Sequence, residues 1–143
     1  MSRPLPIPLG VECAASATLD AAFYIHRILG PGLPESVYEF ALAHELRRRG
    51  TKVQRQVAIP LVYDGIPLDC GLRIDLLIDD QLIVEIKAAE AMIPLFDAQL
   101  MTYLKLSRKQ LGLLINFNTP RLKDGIRRIV SRCGTLNLVP RCR

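Results

Sequence analysis

Apolar residues recur every three or four positions through the first fifty residues; from about residue 52 they alternate with polar ones or gather in short unbroken runs. Ala15, Leu19, Ala22, His26 and Leu29 share one stripe, which predicts a helix over residues 12–29 stopped by Gly30-Pro31-Gly32. A second helix is predicted over residues 34–49. Proline suits its first turn, Glu35 and Glu39 complement its positive end, Arg47-Arg48-Arg49 complement its negative end, and Gly50 can take the left-handed cap. Val53, Val57 and Ile59 alternate with polar neighbours, as in a strand with one wet face; Leu61-Val62-Tyr63 and the hairpin signal Asp64-Gly65 follow. Residues 71–78 and 82–88 predict two further strands about a turn at Asp79-Asp80. Pro94 opens a third helix that ends near Ser107, and Leu111-Gly112-Leu113-Leu114-Ile115 has the composition of a central strand covered on both faces. Residues 122–130 fit either a helix, through Leu122, Ile126 and Ile129, or a short edge strand. The predicted order is α-α-β-β-β-α-β.

Composition narrows the class. A chain of 143 residues is one domain, able to bury roughly 70% of its unfolded surface. Its hydrophobic share of 50% excludes a disordered tail protein. Lys and Arg number 19 against 14 Asp and Glu, and the net charge of +5 favours a polyanionic partner, nucleic acid first. Cys13, Cys70, Cys133 and Cys142 show no CxxC spacing and lie far from His26 and His44, which argues against zinc and for reduced thiols in a cytoplasmic protein. Prolines interrupt Met1-Ser2-Arg3-Pro4-Leu5-Pro6-Ile7-Pro8, so residues 1–11 are expected to be an extended lead-in and not a signal peptide. Apolar runs all fall short of the ~18 residues a membrane span requires. The domain is expected over residues 12–131, followed by a basic tail at 132–143.

The chemistry concentrates in Leu82-Ile83-Val84-Glu85-Ile86-Lys87-Ala88. This run reads as a buried strand, yet it carries a carboxylate and an ammonium two positions apart, hence on one face. Such charges are rarely buried unless paired or bound to an ion. Asp75, in Arg73-Ile74-Asp75-Leu76-Leu77-Ile78, supplies a third charge from the neighbouring strand. Hard cations such as Mg²⁺ take oxygen ligands and keep several waters, so one Asp, one Glu and a backbone carbonyl suffice. Lys87 beside them can orient a water and stabilise charge growing on a phosphate. Register decides whether the site exists. A two-residue Asp79-Asp80 loop pairs Asp75 with Val84 and sends Asp75 and Glu85 to opposite faces. A three-residue loop, Asp79-Asp80-Gln81, pairs Asp75 with Glu85. On the helices, Gln99 and Tyr103 share a face, as do Glu35 and Tyr38, and these are candidates for holding a substrate.

Gly32-Leu33-Pro34-Glu35-Ser36-Val37-Tyr38 fits the pattern GxxExxY. With Asp75, Glu85-Ile86-Lys87 and Gln99-x-x-x-Tyr103, the chain from about residue 12 to 131 resembles the GxxExxY family of the PD-(D/E)XK nuclease superfamily. The resemblance implies a single-domain α/β fold, restriction-endonuclease-like, with an αβββαβ core and a mixed sheet flanked by helices. It also implies Mg²⁺-dependent phosphodiester hydrolysis of DNA or RNA, with Mn²⁺ as a substitute. Asp75 and Glu85 would hold the metal, with the carbonyl of Ile86 as the backbone ligand such a cation takes, Glu35 would complete or orient the shell, and Lys87 would serve the hydrolytic water. Gln99 and Tyr103 would be the QxxxY signature of RecB-type members, which contacts the nucleic-acid strand or supports the site; Tyr38 stays a substrate-holding candidate from its helix face. Ile74 stands where the superfamily motif has proline. A homodimer is one assembly open to such a protein. The alternative from another class is a catalytically silent nucleic-acid-binding or adaptor module that keeps the fold.

Plainer readings stand beside these. Glu85 and Lys87 could be an edge-strand ion pair of little energetic worth. Tyr38 and Tyr103 could be boundary residues that bury a ring and wet a hydroxyl, and Glu35 could simply complement its helix dipole. His26 and His44 read as hydrogen-bonded core or boundary histidines. Arg47, Arg48 and Arg49 read as a solvated helix end, whereas Arg127, Arg128, Arg132, Arg141 and Arg143 could track a phosphate backbone.

Overall fold

The computed structural model describes residues 6–131; the basic tail expected at 132–143, with Arg132, Arg141 and Arg143, lies outside them. Helix α1 (Leu9–Leu29) begins three residues before its expected start. Pro8 is the last proline of the lead-in, its carbonyl accepts the N–H groups of Val11 and Glu12, and burial of Val11 draws the extra turn into the helix. The extended segment therefore ends at residue 8 and not at 11. The buried face of α1 runs through Val11, Ala14, Ala15, Thr18, Ala21, Ala22 and Ile25, and its alanines let it lie close against helix α2 (Glu35–Arg48). The stripe is rotated from the expected one, since Leu29 is exposed. Pro34 caps α2 from outside its first turn, and Gly50 takes φ 89° after its last residues, the left-handed conformation that glycine supplies at little cost.

Strand β1 (Val53–Ala58) is followed by β2 (Leu61–Tyr63) and β3 (Ile66–Leu68), a small separate hairpin turning at Asp64-Gly65. Next come β4 (Arg73–Ile78), β5 (Leu82–Lys87), helix α3 (Pro94–Ser107) and β6 (Leu111–Asn116). The open segment resolves into a 3₁₀ turn at Leu122–Gly125 and an edge strand, β7 (Ile126–Val130). The main sheet has the order β1-β4-β5-β6-β7, antiparallel except for β5 and β6, which α3 connects as parallel neighbours. Every residue of β6 is buried, as a central strand requires.

Two apolar layers follow from the pleat. Leu76, Ile78, Leu82, Val84 and Ile86 join the core beneath α1 and α2, while Leu77, Ile83 and Leu114 meet Leu100 and Leu104 of α3. This is the restriction-endonuclease-like α/β architecture expected, with the sheet between helices. It leaves the odd-numbered end of β5, Glu85 and Lys87, on the side that faces α3, while the head of α2 comes to the same strand end from the opposite layer.

Candidate metal and nucleic-acid site

The turn between β4 and β5 decides the site. Asp79 and Asp80 take φ 51° and 57°, Gln81 donates its N–H to the Ile78 carbonyl at 3.0 Å, and the ladder pairs Ile78 with Leu82 and Leu76 with Val84. This is the three-residue loop, the register that brings Asp75 level with Glu85. At that level side chains replace the backbone ladder. The Ile86 N–H donates to Asp75 Oδ2 at 2.9 Å, and the Asp75 N–H donates to Glu85 Oε1 at 3.2 Å. The strands are thereby held at a carboxyl pair.

Electrostatics reflect how dry this pair is. Glu85 is only 6% exposed. Burial, then the charge of Asp75, pushes its carboxyl up to about 9, with Lys87 opposing. Burial also raises Asp75, against the Ile86 N–H that lowers it. Glu35, first residue of α2, is raised chiefly by burial and countered by Lys87 and by a hydrogen bond from the Ala88 backbone. From the other side α3 brings Gln99, whose Oε1 lies 3.4 Å from Lys87 Nζ, and Phe96, whose ring centroid lies 4.6 Å from the same ammonium. Tyr103 is raised by burial and by the charges of Glu85 and Asp75, which places it in the same field.

Five of the expected residues, Asp75, Glu85, Lys87, Gln99 and Tyr103, thus gather around the end of β5, with Glu35 at the rim. Tyr38 does not join them. It is fully buried, stacked on Phe117 at 4.5 Å between ring centroids, and its hydroxyl donates to the Gly30 carbonyl at 2.5 Å while accepting the Leu33 N–H at 3.1 Å. A side chain without exposed surface cannot meet a substrate, so Tyr38 pins the turn that aims α2. His26 donates Nε2–H to the Thr119 carbonyl at 2.8 Å, the boundary role expected, whereas His44 is exposed. Arg47 bonds the Val53 carbonyl, Arg48 and Arg49 pair with Glu45, Arg127 pairs with Asp97 and Arg128 with Glu12.

Three residues enter to which sequence reasoning assigned no part in a site. Glu39, one turn beyond Glu35, and Gln56 of β1 line a cleft of about 240 Å³ with Glu35, Ser36, Asp75 and Ile86. Asn116, buried at the end of β6, accepts the Ala89 N–H at 3.1 Å and donates to the Ala89 carbonyl at 3.0 Å, fixing the segment that follows Lys87.

The donors fit a hard divalent cation in kind. They are carboxyl oxygens, and the Ile86 carbonyl opens on the same side of β5 as the N–H that Asp75 accepts. Among the described residues no group of three or more His, Cys, Asp or Glu side chains could hold a metal ion. Asp75 and Glu85 form a carboxyl pair, and Glu35, at the head of α2 and tied to the Ala88 backbone, stands beside it. Among the described residues no helix is long and apolar enough to cross a membrane. A family model described as the PD-(D/E)XK nuclease superfamily matches residues 12–129. No curated protein and no solved structure matches the chain.

Proposed function

Because this chain belongs to the PD-(D/E)XK nuclease superfamily, whose members generally use divalent metal ions on nucleic acid, we propose that it hydrolyses phosphodiester bonds of DNA or RNA with Mg²⁺, for which Mn²⁺ can substitute. The observation that carries the reading is the carboxyl pair itself: Asp75 and Glu85 meet across the parting strands, with the Glu85 carboxyl pushed up to about 9 by burial. A buried acid pair held in this way is costly to ionise unless a cation arrives.

Asp75, Glu85 and the Ile86 carbonyl would hold the metal. When bound, a divalent cation polarises the scissile phosphate and lowers the pKa of a water toward neutrality. Lys87 donates from its ammonium to the attacking water or to a phosphate oxygen as charge develops. Glu35, at the rim of the cleft, orients a water through its carboxylate. Gln99 and Tyr103 on α3 hold the strand against the carboxyl pair, and Gln99 also steadies Lys87.

Titration of Mn²⁺ by calorimetry into the wild type and Asp75→Ala, followed by incubation of each with labelled DNA and RNA, tests this. Binding and cleavage by the first and neither by the second is the expected result. Salt-sensitive nucleic-acid binding without turnover at any divalent concentration would leave a non-cleaving binding module instead.

A further inference from the structure

Five non-glycine residues among those described have positive φ. Asp64, Asp79 and Asp80 lie in hairpin turns and Arg108 caps α3. Gln56, at φ 53°, lies in the middle of β1, where an extended backbone is the rule. Its neighbours Arg55 and Val57 pair with Leu76 and Ile74, so Gln56 falls opposite Asp75. The pleat of β4 breaks at the same level: Ile74 and Leu77, which strict alternation would separate, both join the cluster under α3.

The twist aims the side chain. Gln56 Nε2 donates to Glu39 Oε1 at 2.5 Å and to Asp75 Oδ1 at 3.4 Å. Glu39, only 6% exposed, accepts a hydrogen bond from the Arg55 guanidinium on its other oxygen at 2.7 Å, and that guanidinium lies 3.7 Å from the Phe40 ring centroid. A left-handed residue inside a strand persists only where its surroundings over-determine it, and here they do.

We propose that Gln56 is a positioning residue for the metal-binding carboxylate Asp75, part of an Arg55–Glu39–Gln56 chain that fixes the direction of Asp75 Oδ1 while the Ile86 N–H fixes Oδ2. The inference rests on the reading of Asp75 as a metal ligand. Hydrogen bonds to ligating carboxylates set their orientation, and loss of such a partner weakens metal binding by roughly 10–100-fold.

Two variants test it. Gln56→Gly deletes the amide but accepts positive φ readily, and Gln56→Asn keeps an amide too short to reach both partners while tolerating the left-handed region. Calorimetric Mn²⁺ titration should give Kd values weaker by about tenfold or more in both. Their Tm without divalent ions should stay close to that of the wild type, and cleavage lost at low Mn²⁺ should recover at saturating Mn²⁺. Unchanged Mn²⁺ affinity in the variants, beside normal binding by the wild type, overturns the proposal alone. A collapse of Tm in both variants also overturns it, by making Gln56 a support of the fold. Wild type that binds no Mn²⁺ defeats the metal reading of Asp75 and this proposal with it.

Discussion

Glu85 turns its carboxyl onto the backbone N–H of Asp75, 3.2 Å away, while Asp75 turns its own onto the next residue of β5. Each strand's acid thus occupies a backbone group of the other, and the pair stays dry and close. With Glu85 at about 9 in the folded protein against an ordinary 4.5, the folded state holds a proton between those values that the unfolded state has lost. This contribution to stability is complete below the unfolded value and disappears as pH rises toward the folded one. Asp75, also raised, acts in the same direction. Without divalent ions, stability should fall with rising pH by about 1.4 kcal/mol per unit across that window. Glu85→Gln should flatten the slope. Urea unfolding in chelator at several pH values measures both, and a wild-type profile that is flat or rises would contradict the assignment.

Lys87 and Asp75 should separate binding from chemistry. Lys87→Ala leaves the carboxyl pair in place, so Mn²⁺ affinity should remain near that of the wild type. Cleavage should drop by roughly 10²–10³ in kcat, as when one donor to developing charge is removed. Single-turnover cleavage at saturating Mn²⁺ checks this. Equal activity in the Lys87→Ala and wild-type preparations would trace the cleavage to a contaminant.

That Asp75 meets Glu85 only through the Asp79-Asp80-Gln81 loop was legible in the chain, because side-chain period in a strand is two and loop length decides which residues meet; which of the two loops forms was not. The α3 pair Gln99 and Tyr103 was legible from helical spacing. Glu39 was read only as complementing a helix dipole, since its partners Arg55 and Gln56 lie on another element and no local spacing announces them. The left-handed turn at Gln56 was invisible for a related reason: glutamine has no preference for that region, and the residues that impose it, Glu39 and Asp75, come from α2 and β4. Tyr38 misled because three-residue spacing from Glu35 puts it near that residue's face of the helix but does not say whether the face looks outward at that turn.

Tyr38 carries a prediction of its own. Tyr38→Phe keeps the ring on Phe117 but leaves the Gly30 carbonyl and Leu33 N–H without their partner. Stability should fall by about 1–3 kcal/mol in chemical denaturation, whereas KM for nucleic acid should change little, because the hydroxyl faces the α1–α2 turn. A raised KM at unchanged stability would restore Tyr38 as a substrate contact.

Gly112 sets how closely α3 approaches the sheet, and so where Gln99 and Tyr103 stand. A Cβ at this position would lie 2.8 Å from Leu100 Cδ1 and 3.0 Å from its Cγ and Cδ2. Leu100 is fully buried, so it cannot swing into solvent; either its rotamer or the helix must give way. Overpacking of this kind costs about 1–3 kcal/mol. Because Gln99 is adjacent to Leu100 and Tyr103 follows three residues later, a lifted α3 also carries Gln99 away from Lys87 and Tyr103 away from Glu85 and Asp75. Gly112→Ala should therefore lower stability and raise KM together, unlike Tyr38→Phe. Shortening the obstacle should relieve it: Leu100→Ala alone costs about 2–5 kcal/mol through its cavity, yet the double variant should lose less than the sum, since the new methyl occupies part of that space. A double-mutant cycle in urea should show coupling of about 0.5–3 kcal/mol. Additive losses, or a KM unmoved by Gly112→Ala, would mean that α3 reaches its position without this contact.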